Sequence, residues 1–408
     1  MGASLLRVAV SPLRRDVAPR DLAPALPSVN AAVAAMRPEE PLHCLRPQAI
    51  TAAARSFVEA FSGRTLYAVK CNPDPRVLSA LWRGGVRAFD CASPAEIAVV
   101  RQVLPEASIH YMHPVKARSA IRTAFAEGVR DFALDSTDEL EKILAETGAP
   151  EDLGLIVRLA LPKGNAQLDL SGKFGVAPDE AAALVRRARR HAERLGLSFH
   201  VGSQCDDPAR WRVAMELAAR IAVEASVKID VLDVGGGFPS AYPGADLPVL
   251  AAFMAEIDGA YATLVERLGD LAPDELWAEP GRALVAQGVS VVVQVQARRG
   301  DALYVNDGVY GSLSDAGALG WRFPVRLIRQ SAAEPRPFTL FGPTCDSLDR
   351  MDGGFRLPED VAEGDWIEVG QLGAYGASLR TAFNGFDRGH LVEVSDPPLM
   401  TTPGYAAG

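Results

Sequence analysis

The sequence predicts an α/β protein built from a (β/α)8 TIM barrel and a second, mostly antiparallel β domain. Between residues 44 and 285, short apolar runs alternate with longer amphipathic segments, which is the pattern of parallel strands joined by crossover helices. About eight such units occur, and eight of them close a barrel. After residue 285 the long amphipathic segments cease and short β-type runs are separated by Gly, Pro and Asp, which indicates an antiparallel β-barrel or sandwich.

Residues 1–43 are rich in Pro, Ala and Arg and are predicted to be loop and linker, apart from a short strand at Leu6–Val10. This strand is expected to join the β domain, so that the barrel is inserted between two pieces of it. The predicted domains are 1–43 as a contribution to the β domain, 44–285 as the barrel and 286–408 as the C-terminal β domain. The strands predicted in the C-terminal part are Val289–Val295, Ala302–Val305, Pro324–Ile328, Phe338–Phe341, Asp365–Val369 and His390–Val394.

Each predicted barrel strand is a short apolar run that ends at turn or helix-start residues. A helix is predicted from Pro47 to Phe61, before the first strand. Later helices carry their own start signals, because Ser93 with Glu96 and Ser136 with Glu139 have the spacing of capping boxes. The predicted strands are Leu66–Val69, Ala88–Cys91, Ile109–Met112, Phe132–Leu134, Leu155–Leu159, Ser198–Val201, Val231–Val234 and Glu275–Ala278.

The composition is that of a soluble globular protein, with 48% hydrophobic and 23% charged residues. The formal net charge is −9 and no basic block occurs, so nothing indicates binding to nucleic acid or to an anionic membrane. No apolar run is long enough to cross a bilayer, and the N-terminus lacks a signal-peptide pattern. The five cysteines are scattered without metal-type spacing, which predicts a reduced, cytoplasmic protein without a metal site.

The predicted first strand ends at Lys70, and Asn72 and Pro73 follow as turn and helix-start residues. The strand therefore directs Lys70 toward whatever lies beyond its C-terminal end. A lysine in such a place can lose its proton by desolvation and attack a carbonyl carbon to form a Schiff base. The alternative is an ordinary strand-end lysine whose amine lies in water.

In a barrel of this type the functional groups gather at the C-terminal ends of the strands. That rule alone selects a set of candidate site residues, which are Lys70, Asp90, Arg158, His200, Ser203, Gly235, Gly236, Gly237, Glu279 and Arg282. Three glycines after a strand let backbone N–H groups approach an anion, typically a phosphate. The β domain adds Cys345, Asp346 and Tyr375.

Each candidate also has an ordinary structural interpretation. The glycines alone could form a flexible turn, and His200 could be a histidine of the core. Asp90 and Glu96 could cap helices, and Arg158 could balance an acid inside the barrel. The segment from Glu279 to Arg282 could be a surface turn. Cys345 could be a small buried apolar residue and Tyr375 ordinary packing.

Taken together, the motifs resemble the fold-type III pyridoxal-phosphate decarboxylases, in particular the ornithine and lysine decarboxylase branch. They occur in the family's order from about residue 45 to the C-terminus. The matching segments are Tyr67–Asn72, Phe89–Ser93, Lys173–Gly175, Phe199–Ser203, Asp233–Pro239, Glu279–Arg282, Tyr304–Gly311, Gly342–Asp346 and Gly373–Tyr375.

The resemblance implies a role for each candidate. Lys70 would bind the aldehyde of pyridoxal 5'-phosphate, His200 would stack on its ring, and Glu279 would pair with the ring nitrogen. Asp90 and Arg158 would line the cofactor site as polar neighbours. The phosphate would be bound by Ser203, Gly235, Gly236, Gly237, Arg282 and Tyr375.

The resemblance also implies a head-to-tail homodimer with shared active sites. Cys345 would return a proton to the α-carbon of the substrate and Asp346 would bind its distal ammonium, both in the partner's site. Phe383 would face the substrate. Lys173 and Asp349 would form a salt bridge across the interface.

One position departs from the family pattern. The ornithine enzymes carry a second acid after the Tyr-Gly-Ser motif, where this sequence has Leu319. Asp315 is the candidate replacement. A neutral pocket wall discriminates weakly between substrate chain lengths, so this departure leaves ornithine and lysine open.

The predicted function is pyridoxal-phosphate-dependent decarboxylation of ornithine, lysine or both to putrescine or cadaverine, as in polyamine biosynthesis. The alternatives are a decarboxylase of diaminopimelate, arginine or carboxynorspermidine, a non-catalytic binding protein of the same family, and an amino-acid racemase. The pair Cys345-Asp346 favours a diamine product, because diaminopimelate enzymes have Cys-Glu-Ser there and racemases use a tyrosine from the β domain.

Overall fold

The computed structural model describes residues 25–161 and 172–404. The predicted strand Leu6–Val10 lies outside these residues. Helix α1 spans Val29–Met36, where the sequence predicted linker, and the Ser28 hydroxyl caps it by accepting from the Ala31 N–H at 3.1 Å. That prediction was wrong, because the helix is short and alanine-rich and has no strong amphipathic period. Strand β1 follows at Leu42–Leu45.

Eight parallel strands close the predicted barrel in sequence order, and the first of them pairs with the last. The (β/α)8 fold is therefore confirmed. The strands are β2 Arg64–Ala68, β3 Ala88–Cys91, β4 Ser108–Tyr111, β5 Asp131–Leu134, β6 Gly154–Arg158, β7 Arg194–Ser198, β8 Val231–Asp233 and β9 Glu275–Ala278.

One barrel strand is displaced from its predicted position. Strand β7 ends at Ser198, where the predicted strand Ser198–Val201 begins. Gly196 lies inside it, and a Cβ there would meet Ile156 Cδ1 at 2.5 Å. The strand is therefore marked by a close contact rather than by an apolar run, which explains why the sequence pattern missed it. His200 consequently lies on the loop beyond the strand.

The helices surround the barrel and begin at the expected caps. Glu96 Oε2 accepts the Ala92 N–H at 2.7 Å and the Ser93 hydroxyl accepts the Glu96 N–H at 3.3 Å, so Glu96 is a helix cap. Within the described parts of the chain, no helix has the length and apolar character needed to cross a membrane. The helices are α2 Pro47–Ala60, α3 Pro75–Arg83, α4 Pro94–Val103, α5 Arg118–Ala126, α6 Thr137–Thr147, α7 Pro178–Arg189, α8 Ala209–Ala225, α9 Leu250–Leu268, α10 Arg282–Val285 and α11 Ser314–Ala318.

The β domain is a mostly antiparallel sheet of eight strands. Strand β1 lies between β10, to which it is antiparallel, and β16, to which it is parallel. The N-terminal part thus contributes β1, a strand that the sequence did not predict and that crosses the predicted boundary at residue 43. The remaining strands are β10 Val289–Arg299, β11 Ala302–Val305, β12 Val325–Leu327, β13 Pro335–Phe341, β14 Arg350–Pro358, β15 Trp366–Val369 and β16 His390–Glu393.

Arg46 joins the β domain to the start of the barrel. It lies between β1 and α2, and its side chain is almost fully buried. The guanidinium lies 3.0 Å from Glu368 Oε1 on β15 and 3.1 Å from Asp396 Oδ1, and it donates to the Ser290 hydroxyl on β10 at 2.9 Å. One arginine therefore fixes the first barrel helix against three segments of the sheet.

We expect Arg46→Met to lower the free energy of unfolding by about 3 kcal/mol, because the buried Glu368 then keeps only Arg326 as a charged partner and Asp396 loses its arginine. Chemical denaturation measures the change. The matched control is Arg388→Met, since Arg388 is 80% exposed and lies 3.9 Å from Glu40, so its loss should cost less than about 1 kcal/mol. Equal effects of the two substitutions would contradict the role assigned to Arg46.

Candidate active site

Lys70 lies in a single 3-10 turn, Val69–Cys71, directly after β2. Its Nζ donates to Asp90 Oδ2 at 2.7 Å, and Asp90, on β3, is 2% exposed. Desolvation acts to lower the pKa of Lys70, but the carboxylates of Asp90 and Glu279 outweigh it and raise that pKa above its usual value. The amine is therefore bonded to a buried acid at the barrel mouth, while the Lys70 side chain is 45% exposed.

A cavity at this mouth encloses about 370 Å³ of space that no atom fills, part of which is open to solvent. It brings together most of the residues that the strand-end rule selected. Asp90 reaches the cavity through its bond to Lys70. The lining residues are Ala68, Lys70, Cys71, His200, Ser203, Gly236, Gly237, Phe238, Glu279, Gly281, Arg282 and Tyr375.

The three glycines after β8 form a loop in which no side chain fits. Gly235 and Gly237 have φ angles of +65° and +104°, and a Cβ on them would lie 2.0 Å from Phe199 O and 2.5 Å from Gly202 O. A Cβ on Gly236 would lie 2.8 Å from the carbonyl oxygen of Glu279. The backbone therefore lines this side of the cavity without side chains, as an anion-binding loop requires.

His200 has an uncharged ring. Its Nδ1 accepts the Gly202 N–H at 3.0 Å, so in the neutral ring the proton is on Nε2. Desolvation, followed by the positive charges of Arg158 and Lys70, lowers the pKa of His200 to about 3. A neutral aromatic ring beside the glycine loop suits stacking on a flat ligand.

Glu279 lies against a second acid, Asp233, which the sequence analysis did not select. Asp233 is the last residue of β8, is 0% exposed, and its Oδ1 accepts the Gly235 N–H at 2.8 Å. Desolvation raises the pKa of Asp233 to about 6, and desolvation together with Asp233 and Asp90 raises that of Glu279 well above its usual value. Its position two residues before the first glycine, at the end of the strand, was the signal that could have identified Asp233.

Arg282 is fixed at the start of α10 with one donor unused. Its Nη1 donates to the Tyr242 hydroxyl at 2.9 Å and lies 2.9 Å from Asp315 Oδ2 in a salt bridge. The guanidinium carbon lies 4.4 Å from the ring centre of Trp321 and 4.8 Å from that of Tyr375. Its Nε is buried without a hydrogen-bond partner. An anion in the cavity would supply that partner.

The contacts at Arg282 bear on two sequence-based expectations. Tyr242 and Trp321 were not selected from the sequence, because neither follows a strand or belongs to a short motif. Asp315 was expected to replace the second substrate acid, whereas its carboxylate forms a salt bridge with Arg282. Leu319 is partly buried at the C-terminal end of α11.

A loop of the β domain holds the turn that carries Lys70. The Tyr375 N–H donates to Cys71 O at 2.8 Å, and Asn72 Nδ2 donates to Gly373 O at 2.9 Å. A Cβ on Gly373 would lie 1.7 Å from Val285 O, so only glycine allows this close approach. The β domain therefore forms part of the site, together with the barrel.

These features fit pyridoxal 5'-phosphate. Lys70 supplies the amine, and His200 supplies a flat neutral ring. Glu279 supplies a carboxyl group for a ring nitrogen. The side-chain-free glycine loop and the unpaired Nε of Arg282 suit a phosphate. The remaining predicted cofactor neighbour, Arg158, lies with its guanidinium carbon 5.6 Å from the ring centre of Phe174.

Cys345 and Asp346 belong to a second cluster, on the loop between β13 and β14, and neither lines the cavity at Lys70. Cys345 is exposed, and its N–H donates to Asn384 Oδ1 at 3.1 Å. Asp346 accepts a hydrogen bond from the Tyr310 hydroxyl, and the Tyr310 ring lies 4.9 Å from that of Phe383. The cluster thus presents a thiol, a carboxylate and an aromatic ring at the protein surface.

The surface around this cluster is unusually apolar. Four large hydrophobic side chains are exposed there, namely Leu348, Leu379, Phe383 and Phe386. Asp349 is buried and accepts from the N–H groups of Val309 and Thr344 within its own chain. Its predicted salt bridge with Lys173 of a second chain stays a prediction.

The sequence matches the family model for the pyridoxal-dependent decarboxylase pyridoxal-binding domain over residues 48–286. It is 37% identical to the ornithine decarboxylase of Panagrellus redivivus, covering 79% of this chain and 78% of that protein. It is 32% identical to the lysine/ornithine decarboxylase of Selenomonas ruminantium, covering 81% of this chain and 84% of that protein.

Solved structures agree with these matches. The arginine decarboxylase of Paramecium bursaria Chlorella virus bound to agmatine has a TM-score of 0.79 and 28% identity, over 90% of this chain and 99% of that one. The lysine/ornithine decarboxylase of Vibrio vulnificus with putrescine has a TM-score of 0.76 and 31% identity, over the same shares. The fold is thus shared with solved decarboxylases, and the chain belongs to the pyridoxal-dependent decarboxylase family.

Proposed function

We propose that this protein decarboxylates a basic L-amino acid, ornithine or lysine or both, to putrescine or cadaverine, as a step of polyamine biosynthesis. The observation that carries this proposal is the site around Lys70, where an amine, a neutral imidazole, a buried carboxyl pair and an anion-binding loop surround one cavity. The similar proteins of known name are ornithine and lysine/ornithine decarboxylases.

The residues divide the work of holding the cofactor. Bound pyridoxal phosphate supplies an electron sink for the bond that breaks. Lys70 would bind its aldehyde, the ring of His200 would cover one face of the cofactor and exclude water, and Glu279 would pair with the ring nitrogen. The phosphate is held by Ser203, Gly235, Gly236, Gly237, Arg282 and Tyr375, and the site is completed by Asp90 and Arg158.

We propose that two copies assemble as a homodimer that shares its active sites. An exposed apolar surface surrounds Cys345 and Asp346, as is typical of a protein–protein interface. Their chemistry has no use at a free surface, because a proton donor and an ammonium ligand must touch a substrate. Cys345 then returns a proton to the α-carbon in the partner's site, and Asp346 binds the distal ammonium next to Phe383.

We further propose that Asp346 alone reads the distal charge of the substrate, and that Asp315 serves Arg282. The salt bridge of Asp315 to Arg282 uses the carboxylate that a second ammonium ligand would need. With Leu319 in place of an acid, the pocket wall gives little discrimination between lysine and ornithine. Arginine is the second candidate substrate, because an arginine decarboxylase shares the fold over 90% of this chain.

A cytoplasmic location is also part of the proposal. The five cysteines are unpaired, and four of them are buried. The exposed one, Cys345, must remain a thiol to donate a proton. A reducing compartment keeps it so.

Lys70→Ala is expected to abolish both the visible Schiff-base absorption and amine production, because no other group replaces the amine at this position. Lys70→Arg should behave in the same way, since it keeps the charge beside Asp90 but forms no Schiff base. The control is Lys228→Ala, because Lys228 is paired with Asp274 on the surface and should not affect either measurement. Retained absorption in both Lys70 variants would contradict the proposal.

Mixing the inactive variants Lys70→Ala and Cys345→Ala is expected to restore about a quarter of the wild-type activity. Random exchange makes half of the dimers mixed, and each mixed dimer has one site with both groups intact. Assays of the amine product, made after subunit exchange between the two variants, measure the restored activity. The control is a mixture of Lys70→Ala with Lys70→Arg, which should stay inactive. If the first mixture also stays inactive while exchange is complete, the shared site is wrong.

Asp346→Asn should lower kcat/KM for lysine and for ornithine by about 10–100-fold, because a charge-assisted bond to the ammonium is lost. Asp315→Asn should leave the ratio of the two kcat/KM values within about twofold, since its amide oxygen can still accept from Arg282. Amine-product assays with ornithine, lysine and arginine measure both effects. A strong change of substrate preference in Asp315→Asn would show that Asp315 also binds the substrate, and would contradict the proposal.

A further inference from the structure

Two acids, Asp233 and Glu279, lie beside the glycine loop, and one oxygen atom of Asp233 has no hydrogen-bond partner. Asp233 is fully buried; its Oδ1 accepts the Gly235 N–H, whereas its Oδ2 has no hydrogen-bond donor. The carboxyl group of Glu279 lies within hydrogen-bonding reach of Asp233. Two carboxylates are both acceptors, so Asp233 Oδ2 gains a donor only if Glu279 carries a proton.

The surrounding charges do not remove the need for that proton. Lys70 acts on Glu279 with a positive charge, but its ammonium is bonded to Asp90 at 2.7 Å. Asp90 adds further negative charge to the pair, whereas Arg158 acts on Glu279 and His110 acts on Asp233 with the opposite sign. The carboxyl groups of Asp90 and Asp233 are buried and that of Glu279 is partly buried, and these positive charges do not offset the cost of ionising all three.

We propose that Asp233 and Glu279 together hold one proton in the cofactor-free site, and that the ring nitrogen of the cofactor receives this proton on binding. The inference rests on the proposed function. In the transfer the O–H bond of the Glu279 carboxyl breaks and an N–H bond forms at the ring. No proton is taken from solvent. Asp233 is a positioning residue, because it keeps the proton on the carboxyl that faces the ring.

The direction of the pKa changes supports this arrangement. Both acids have raised pKa values, chiefly because of desolvation, and Glu279 is the member of the pair that lines the cavity and can present the shared proton to a ring. A buried carboxyl pair that shares one proton is the usual result when like charges meet in a low dielectric. The pair therefore serves as an internal proton store beside the position of the ring.

Infrared difference spectroscopy on the cofactor-free protein near neutral pH tests the store directly. We expect a protonated-carboxyl band that is lost in Asp233→Asn and in Glu279→Gln, since each new amide can donate to the remaining carboxylate. The control is Asp131→Asn. Asp131 is a buried carboxylate of the same barrel with a lowered pKa, held by His110 at 3.0 Å and Arg194 at 3.1 Å, so its replacement should keep the band.

The second measurement is proton uptake when pyridoxine 5'-phosphate, which lacks the aldehyde, binds to the cofactor-free protein. Calorimetry in buffers of different ionisation enthalpy should give almost no uptake for the wild type and about one proton more for Asp233→Asn. The infrared band of the wild type should disappear on binding. A wild-type protein without the band, or equal uptake by both proteins, overturns the inference.

These outcomes are separable from the failure of the proposed function. The Lys70 absorption and the amine products test the function without reference to Asp233. If both are present and the carboxyl band is absent, only the proton store is wrong. The wild-type spectrum decides this even if a variant fails to fold, because raising the pH must remove the band in the unmodified protein.

Discussion

The ion pair between Lys70 and Asp90 is the interaction around which the site is arranged. A barrel mouth is a place of low dielectric, and an amine enters it only with a counter-charge. Asp90 on β3 provides that charge for the lysine that follows β2, since neighbouring parallel strands bring their ends side by side. Burial is the main cause of the raised pKa values of Glu279 and Asp233, and the negative charge of the same Asp90 raises them further.

The cavity also depends on contacts in which backbone meets backbone. The glycine loop after β8 approaches the loop that carries His200, and Gly373 of the β domain approaches the end of α10. None of these contacts tolerates a side chain. Glycine therefore has two roles here, because it permits the close packing of loops and leaves bare amides beside the ligand. These backbone contacts, rather than the amine of Lys70, fix the positions of the loops that line the site.

The sequence predicted those parts of the structure that depend on short local patterns of residues. Barrel strands end at chemically distinctive residues, so Lys70 and Glu279 were found at once. Strand β14 was missed because Asp352, Gly353 and Gly354 interrupt its apolar pattern, yet it pairs with β13 along its length. Contacts between distant segments leave no local pattern either, and Asp315 could be assigned to Arg282 only once α11 was seen beside α10.

Strand β1 has its two neighbours far away along the chain. Leu42 lies opposite Val292 on one side and His390 on the other, so one edge of this strand stays without a partner until β16 has been made. During synthesis the barrel strands can meet in the order in which they emerge, whereas the sheet must wait for its last segment. Strand β16 therefore completes the sheet. A polypeptide that lacks it would expose an unpaired edge of β1, which is prone to aggregation.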